Sequence, residues 1–215
     1  MAANYGAHEV MELHEVLTDA INGINQFELY RPHVQCQQLS SMLDRQLQFM
    51  TQEYNNMVQA LNNRGITFGS PYRAPKTGQP KYGLNNPQPQ SPNTSPSQLD
   101  DRDVSSGMLG CLKSSAIMKS IAALECADPQ LRRMVQQGST NCSEMAYEVW
   151  QYMNQKGFYQ VPTMKQMTTD TMVESYSTSN MGTMGNMGTM DTTGTGNMGN
   201  MNFNKQQTSP NFNMQ

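Results

Sequence analysis

Charged residues are scarce in this sequence, and no long hydrophobic run occurs. Asp, Glu, Lys and Arg make up only 14% of the 215 residues, and no cluster of Lys and Arg is dense enough to neutralise several phosphates. This argues against nucleic-acid binding. A membrane span needs about 18 consecutive apolar residues, and the sequence has no such run. The N-terminus carries Glu9, Glu12 and Glu15 instead of a basic segment, so we predict synthesis in the cytosol without a secretory signal.

Motifs typical of metal sites and enzymes are also missing. The four cysteines have no Cys-x-x-Cys spacing, which predicts reduced and mostly buried thiols instead of a zinc site or a redox dithiol. None of the three histidines follows a glutamate by three positions, so the Glu-x-x-His pairs of di-iron bundles are missing. No nucleophile elbow, phosphate-binding loop or dinucleotide motif occurs. We therefore predict no catalytic, cofactor-binding or metal-binding residues and no enzymatic activity.

Apolar residues recur at steps of three and four, which predicts amphipathic helices. Three segments have a continuous apolar stripe, and a fourth segment, rich in Ala, Ser and Gly, predicts a helix packed closely on several sides. The stripes are Val10, Leu13, Leu17, Ala20, Ile24 and Phe27; Leu39, Leu43, Leu47, Met50, Tyr54, Met57 and Leu61; and Leu131, Val135, Gly138, Cys142, Met145, Val149 and Tyr152. Because no stripe position holds a carboxylate, we expect an apolar interior short of acidic groups.

Capping residues predict where these helices begin and end. The second helix is predicted to end with Gly65 in the left-handed conformation, and the last with Gly157. The third is predicted to begin in a capping box at 97–100. Asp128 fits the N-cap of the last helix, because an aspartate there accepts backbone N–H groups and proline fits the first helical position.

The chain contains an internal repeat at a shift of 92 residues. The shift places "QQLSSML" (37–43) on "PQLRRMV" (129–135), and "LNNRGI" (61–66) on "MNQKGF" (153–158). The sequence therefore predicts two related helical hairpins, 8–64 and 100–157. One hairpin cannot bury its own apolar stripe, so we predict that the two pack together as a four-helix bundle.

A proline-rich segment, 65–99, separates the hairpins and contains seven of the eleven prolines. Proline opposes helix and central strand, so the segment is predicted to be an extended linker. Its 35 residues reach about 100 Å in this form, whereas a 28-residue helix spans about 42 Å. The linker is therefore long enough to cross the bundle and set the second and third helices parallel, as in ferritin-like folds.

The C-terminal segment, 163–215, holds ten of the twenty methionines and includes "MGTMGNMGTM" at 181–190. Gly and Asn oppose both helix and strand, so we predict a disordered tail of low complexity. Met-x-x-Met spacing could bind Cu(I), a soft ion. The alternative is a flexible, nearly uncharged tail that helps proteins pack together.

Cys36 is the one cysteine with a distinctive position. The shift of 92 residues aligns it with Asp128, so it is predicted to lie at a helix N-terminus, where the pKa of a thiol is lowered. Two interpretations stay open: a reactive thiol that crosslinks two chains, or a poor cap that happens to be cysteine.

Three segments resemble the spore coat protein F family of endospore-forming bacteria. They are 14–35 (HEVLTDAINGINQFELYRPHVQ), the segment from Leu99 to Val135, and 147–162 (YEVWQYMNQKGFYQVP). The resemblance is best over 100–162 and looser over 8–66. It implies a ferritin-like helical bundle, located in the spore coat after synthesis in the mother-cell cytoplasm, with no established enzymatic activity and no catalytic or ligand residues.

The sequence thus leads to a main functional hypothesis and two alternatives. The main one is a structural, non-enzymatic component of the spore coat that associates with other coat proteins, and with further copies of itself. The first alternative is a ferritin-like bundle that handles a ligand or metal under oxidative or metal stress. The second is an adaptor that recruits a coat protein through Tyr72 and Tyr82 of the linker.

Overall fold

The computed structural model describes residues 5–62 and 67–178, and these are almost entirely helical. The helices are α1 (Ala7–Tyr30), α2 (Gln37–Leu61), α3 (Asp101–Glu125), α4 (Pro129–Lys156) and α5 (Gln166–Glu174), with two short 3₁₀ helices at Arg31–His33 and Pro96–Gln98. Within the described residues no strand forms, and the only β-pairing is a pair of isolated bridges from Tyr82 and Gly83 to Val161. The predicted all-α class is confirmed.

The ends of α4 follow directly from its sequence. The Asp128 side chain accepts the backbone N–H groups of Gln130 and Leu131, at 2.8 and 2.9 Å. At the other end, Gly157 adopts the left-handed conformation with φ of 76°. Both predicted caps are confirmed. The predicted cap at Gly65 lies outside the described residues.

The start of α3 differs from the prediction in its capping residue. The N-cap is Asp100, which accepts the N–H groups of Arg102 and Asp103 at 2.9 and 3.1 Å. Ser97 lies instead in the preceding 3₁₀ helix, which Ser95 caps. The predicted box that begins at Ser97 is wrong, because the Asp100 carboxylate already satisfies the first N–H groups of the helix.

The core lies between α1, α2, α3 and α4 and consists of two clusters of buried apolar side chains. Every residue of the α4 stripe is buried, as predicted. In α1, however, Val10 is 48% exposed, and the buried face runs through Glu9, Leu13 and Val16. The helix is rotated relative to the predicted inward face, because the Glu9 carboxylate turns inward to accept the Asp128 N–H at 2.9 Å.

Two acidic residues cap helices of the opposite hairpin. Glu9 in α1 accepts the N–H of Asp128, the N-cap of α4. Asp101 in α3 accepts the N–H of Cys36, the N-cap of α2, at 3.1 Å. A shift of 92 residues maps Glu9 onto Asp101 and Cys36 onto Asp128. The two contacts are therefore equivalent under the internal repeat, and each holds one hairpin against the other.

The described part of the linker, from residue 67, runs along α4. Backbone N–H groups of Tyr72, Thr77 and Lys81 donate in turn to side chains of Asn141, Gln151 and Asn154, at 2.8–3.1 Å. An extended, proline-rich chain has no ladder partner for its N–H groups, and a buried unpaired group would be costly. Amide side chains on α4 supply the missing acceptors, which explains why this helix buries so many polar residues.

Contacts divide the chain into two units, 1–166 and 167–215. The helix α5, at Gln166–Glu174, lies within the segment that the sequence assigned to a disordered tail. That prediction is wrong for these nine residues, since the stretch 163–178 contains neither Gly, Asn nor Pro. The methionine repeat at 181–190, with its suggested Cu(I) site, lies outside the described residues.

A glycine in α3 provides a stability test of the packing between α1 and α3. A Cβ added at Gly107 would lie 2.1 Å from the Tyr30 hydroxyl and 2.5 Å from Cζ. The ring would have to move, and its hydroxyl would lose the hydrogen bond from Gln26 at 2.6 Å. We expect Gly107→Ala to lower the free energy of unfolding by about 1–3 kcal/mol, measured by chemical denaturation.

Gly110 in the same helix is the matched control. No atom lies within 4 Å of a Cβ added there. Alanine costs less backbone entropy than glycine in a helix, so Gly110→Ala should stabilise the protein by up to about 1 kcal/mol. If the two variants proved equally stable, the close approach of Tyr30 to α3 would be contradicted.

Candidate functional site

A cavity of about 190 Å³ opens between the four long helices, beside the described start of the linker. Its walls are mostly apolar, with contributions from residues such as Val16, Phe49 and Met134. Polar side chains also line it, among them Asp19, Glu53, Ser115, Lys119, Asn141 and Cys142. A mostly apolar cavity with a few convergent polar groups is the usual form of a small-ligand site. We call it the Glu53–Lys119 cavity.

Lys119 crosses from α3 to α4 and is almost fully buried. Its ammonium nitrogen donates to the sulfur of Cys142 at 3.2 Å and lies 3.8 Å from Oε2 of Glu53. Gly138 makes this path available, because a Cβ there would lie 3.2 Å from Cδ of Lys119. A buried ammonium needs such partners, since burial of an unpaired charge is very costly.

Glu53 is only partly satisfied by its neighbours. Its Oε1 accepts a hydrogen bond from the Asn141 amide at 2.5 Å. Its Oε2 is buried and accepts no hydrogen bond among the described residues; the Lys119 ammonium is its nearest charge. Burial raises the pKa of this carboxyl, although Lys119 and Asn141 oppose the shift. Glu53 therefore holds a carboxyl that takes up a proton more readily than an exposed glutamate.

The orientation of Asn141 is fixed by donors on its other side. Its carbonyl oxygen accepts the backbone N–H of Tyr72 at 3.0 Å and the amide of Gln137 at 2.9 Å. The NH₂ group must therefore face Glu53. Asn141 of α4 thus connects the linker to the Glu53 carboxylate of α2.

Charges in the cavity are set by opposing effects. Burial lowers the pKa of Lys119, but its interactions with Cys142 and Glu53 outweigh this effect, and the net shift is upward. Lys119 is therefore an ammonium at neutral pH. Burial raises the pKa of Cys142, although Lys119 opposes the shift, so the sulfur is a neutral thiol.

A second buried carboxylate, Glu148 in α4, organises a cluster near the linker. Its two oxygens form a salt bridge with Arg45 and accept the hydroxyl of Tyr72. Gln46 adds a hydrogen bond to the same carboxylate at 3.0 Å. Burial and the hydrogen bond to Glu148 raise the pKa of Tyr72 to about 12. The cluster connects α2, α4 and the linker, and its charged groups are paired with one another.

The expectation of an apolar interior short of acidic groups is therefore wrong. Glu9 and Glu148 are each only 2% exposed, and Glu53 faces the cavity. These residues escaped detection because they lie beside the apolar stripes, where helical periodicity does not separate a buried from an exposed position. The internal repeat carried the missing signal: Lys119 aligns with Phe27 and Glu53 with Met145, and both of these apolar residues are fully buried.

All four cysteines are free thiols, and none forms a disulfide. Cys36 is half-buried at the N-cap of α2, as predicted, and the N–H of Leu39 lowers the pKa of its thiol. Cys111 lies in α3, Cys126 follows directly after that helix, and Cys142 lies in α4. Among the described residues, no group of three or more His, Cys, Asp or Glu side chains is placed to hold a metal ion.

Comparison with known proteins shows the family to which the chain is related. The model of the Coat F domain matches residues 100–162. Spore coat protein F-like protein YhcQ of Bacillus subtilis (strain 168) is 32% identical over 174 residues, which cover 80% of each chain. The chain belongs to the spore coat protein F family. No solved structure matches this coat F protein.

Family membership confirms the resemblance seen in the sequence and assigns this coat F protein to the spore coat. The Coat F match spans α3 and α4, and so includes Lys119, Asn141, Cys142 and Glu148. Glu53 lies outside it, in the first hairpin. Across residues 5–62 and 67–178, no helix is long and apolar enough to cross a lipid bilayer.

Proposed function

We propose that this coat F protein is a structural component of the spore coat that acts by protein–protein association, without catalysis. Its partners are other coat proteins, including further copies of this chain. Family membership supports the location. The observation that carries the mode of action is an exposed apolar surface on the outer side of α3 and α4.

The first part of this surface is a stripe on α3. Ile117, Ile121 and Leu124 are 53–75% exposed. Their spacing of four and three residues places them on one face of the helix. Branched apolar side chains in a row are unusual on the surface of a protein that remains alone, and full burial of each contributes about 1.5–3 kcal/mol.

The second part is a row of aromatic residues at the end of α4. Tyr147 stacks on Trp150 with ring centroids 5.6 Å apart, and Trp150 meets Tyr159 at 6.4 Å. Lys113, one turn before Ile117, lies 5.4 Å from the Tyr159 ring and so connects the row to the stripe. Aromatic side chains of this kind are enriched in protein interfaces. The outer surface comprises Ile117, Ile121, Leu124, Tyr147, Trp150 and Tyr159.

We also propose that the helices form a ferritin-like four-helix bundle. Its parts are a first hairpin (8–64), a crossover linker (65–99) and a second hairpin (100–162); the C-terminal segment (163–215) is a separate region of the chain. The equivalent caps from Glu9 and Asp101 support the pairing of hairpins. The hydrogen bonds from the linker to α4 support the crossover.

The double variant Ile117→Asp/Ile121→Asp tests the association. Introduced charges oppose burial of the surface but leave the core untouched. In sporulating cells, a fluorescent fusion of this variant should be depleted from the coat at least several-fold relative to wild type. Circular dichroism of the purified variant should show an unchanged helix content.

Val10→Asp/Leu29→Asp is the matched control, because both residues are exposed apolar positions on a different helix, α1. The control should enter the coat normally. Normal coat incorporation of the Ile117→Asp/Ile121→Asp variant would refute this role of the outer surface. The proposed crosslinking through Cys36 and packing through the methionine-rich segment are separate predictions.

One observation favours a second function, the handling of a small ligand or metal. The Glu53–Lys119 cavity has the polar and apolar walls that a small-ligand site needs, although the described residues place no group of three or more His, Cys, Asp or Glu side chains to hold a metal ion. Elemental analysis of the purified full-length protein distinguishes the two functions. A stoichiometric bound metal would contradict the structural role, whereas a metal-free protein that still enters the coat would contradict metal handling.

A further inference from the structure

The pair Lys119–Cys142 joins two helices through reactive atoms. The nitrogen and sulfur lie 3.2 Å apart, in direct contact, and both side chains are held in place by α3 and α4. A lysine amine is a nucleophile, and an oxidised cysteine sulfur is an electrophile. Neither residue is needed for the association proposed above, so the pair calls for a different explanation.

We propose that hydrogen peroxide converts this contact into a covalent sulfur–nitrogen bond between Cys142 and Lys119, which crosslinks α3 to α4. In this role the Glu53–Lys119 cavity is the path by which the oxidant reaches the sulfur. The bond is a sulfenamide, the product of a sulfenic acid and an amine.

The reaction has two balanced steps. First, the Cys142 sulfur attacks one peroxide oxygen; the S–O bond forms, the O–O bond breaks, and the thiol proton leaves with the departing oxygen as water. Second, the Lys119 amine attacks the sulfur; the S–N bond forms, the S–O bond breaks, and a second water leaves. Sulfur is oxidised by two electrons, and one peroxide is reduced to two waters.

Glu53 supplies the proton transfer that the second step needs. Lys119 is an ammonium, and its lone pair becomes available only when a base accepts a proton. The Glu53 oxygen that accepts no hydrogen bond lies 3.8 Å from the lysine nitrogen. Burial raises the pKa of the Glu53 carboxyl, so this carboxylate is a stronger base toward the Lys119 ammonium than an exposed glutamate.

Access to the cavity and contact with a lysine both point to Cys142 as the site of the linkage. It lines the cavity, whose volume of about 190 Å³ far exceeds the space that a molecule of peroxide needs. Among the described cysteines, only Cys142 accepts a hydrogen bond from a lysine. Burial and acidic neighbours (Asp19 and Glu9) raise the pKa values of Cys111 and Cys126 to about 11. Cys36 has a lowered pKa and is the more readily oxidised thiol, but it does not line the cavity.

The experiment uses the full-length chain with Cys36, Cys111 and Cys126 replaced by serine, so that no disulfide can form within one chain. After treatment with hydrogen peroxide, the intact monomer should lose about 2 Da, the mass of two hydrogens. Proteolysis should yield a linked peptide pair that contains Lys119 and Cys142. Dithiothreitol should separate the peptides and restore the original mass.

Two variants in this background complete the test. Lys119→Arg keeps a cation beside Glu53 but removes the nucleophilic amine, so the linked peptides should disappear and sulfur oxygenation should replace them. Glu53→Gln removes the base and should slow linkage at least tenfold. A wild-type Lys119 protein that only gains about 16 or 32 Da, or a Lys119→Arg protein that still loses about 2 Da as a monomer, would overturn the proposal.

Discussion

Replacing Glu148 with alanine is expected to lower the free energy of unfolding by about 3–5 kcal/mol. The carboxylate is 2% exposed and is the common partner of Arg45, Tyr72 and Gln46. Its loss leaves the buried Tyr72 hydroxyl without its acceptor, removes one of the two acceptors of the Gln46 amide, and leaves a cavity. About half of the Arg45 side chain is exposed, so water hydrogen-bonds to its guanidinium in place of the missing Glu148 carboxylate.

Glu125→Ala provides the control, because Glu125 is an exposed residue at the end of α3. Its carboxylate lies near the negative end of the helix dipole, so its removal should be neutral or slightly stabilising. Urea denaturation followed by circular dichroism measures both variants. A cost below about 1 kcal/mol for Glu148→Ala would mean that the cluster contributes no more than a surface salt bridge.

The parts of the fold that local chemistry determines were predicted well. Asp128 and Gly157 mark the ends of α4 because each acts on backbone groups within a few residues. The α4 stripe is buried throughout, since an unbroken spacing of three and four allows only one inward face. The same argument failed for Val10, because the inward turn of Glu9 depends on a partner 119 residues away.

The candidate site depends on contacts that periodicity does not encode. Glu53 and Asn141 are 88 residues apart, and Tyr72 and Glu148 are 76 residues apart. Glu53, Asn141 and Glu148 each look like part of a solvated face when their own helices are considered alone. The proline-rich linker changes this, because it covers one side of α4 and its unpaired N–H groups need buried acceptors. Only the internal repeat could have placed Lys119 and Glu53 inside.

Replacing either member of the Lys119–Glu53 pair with methionine should cost about 2–4 kcal/mol, because each single change leaves an unpaired charge in the cavity. The estimate is at the low end for Lys119→Met, since 21% of the Glu53 side chain is still exposed. The double variant Lys119→Met/Glu53→Met should lose at most about 1 kcal/mol of unfolding free energy relative to wild type. Denaturant unfolding of the four proteins completes the cycle.

The internal repeat is the reason to expect that the double variant stays stable. The positions equivalent to Lys119 and Glu53 hold Phe27 and Met145, and this apolar combination is already accommodated in the other half of the core. If packing alone decided the residues at these positions, an apolar pair would serve equally well in both halves. A double variant as unstable as the sum of the singles would mean that the charges are not coupled. A stable double variant would mean that the fold does not need the charged pair, which leaves its chemistry as the reason for its presence.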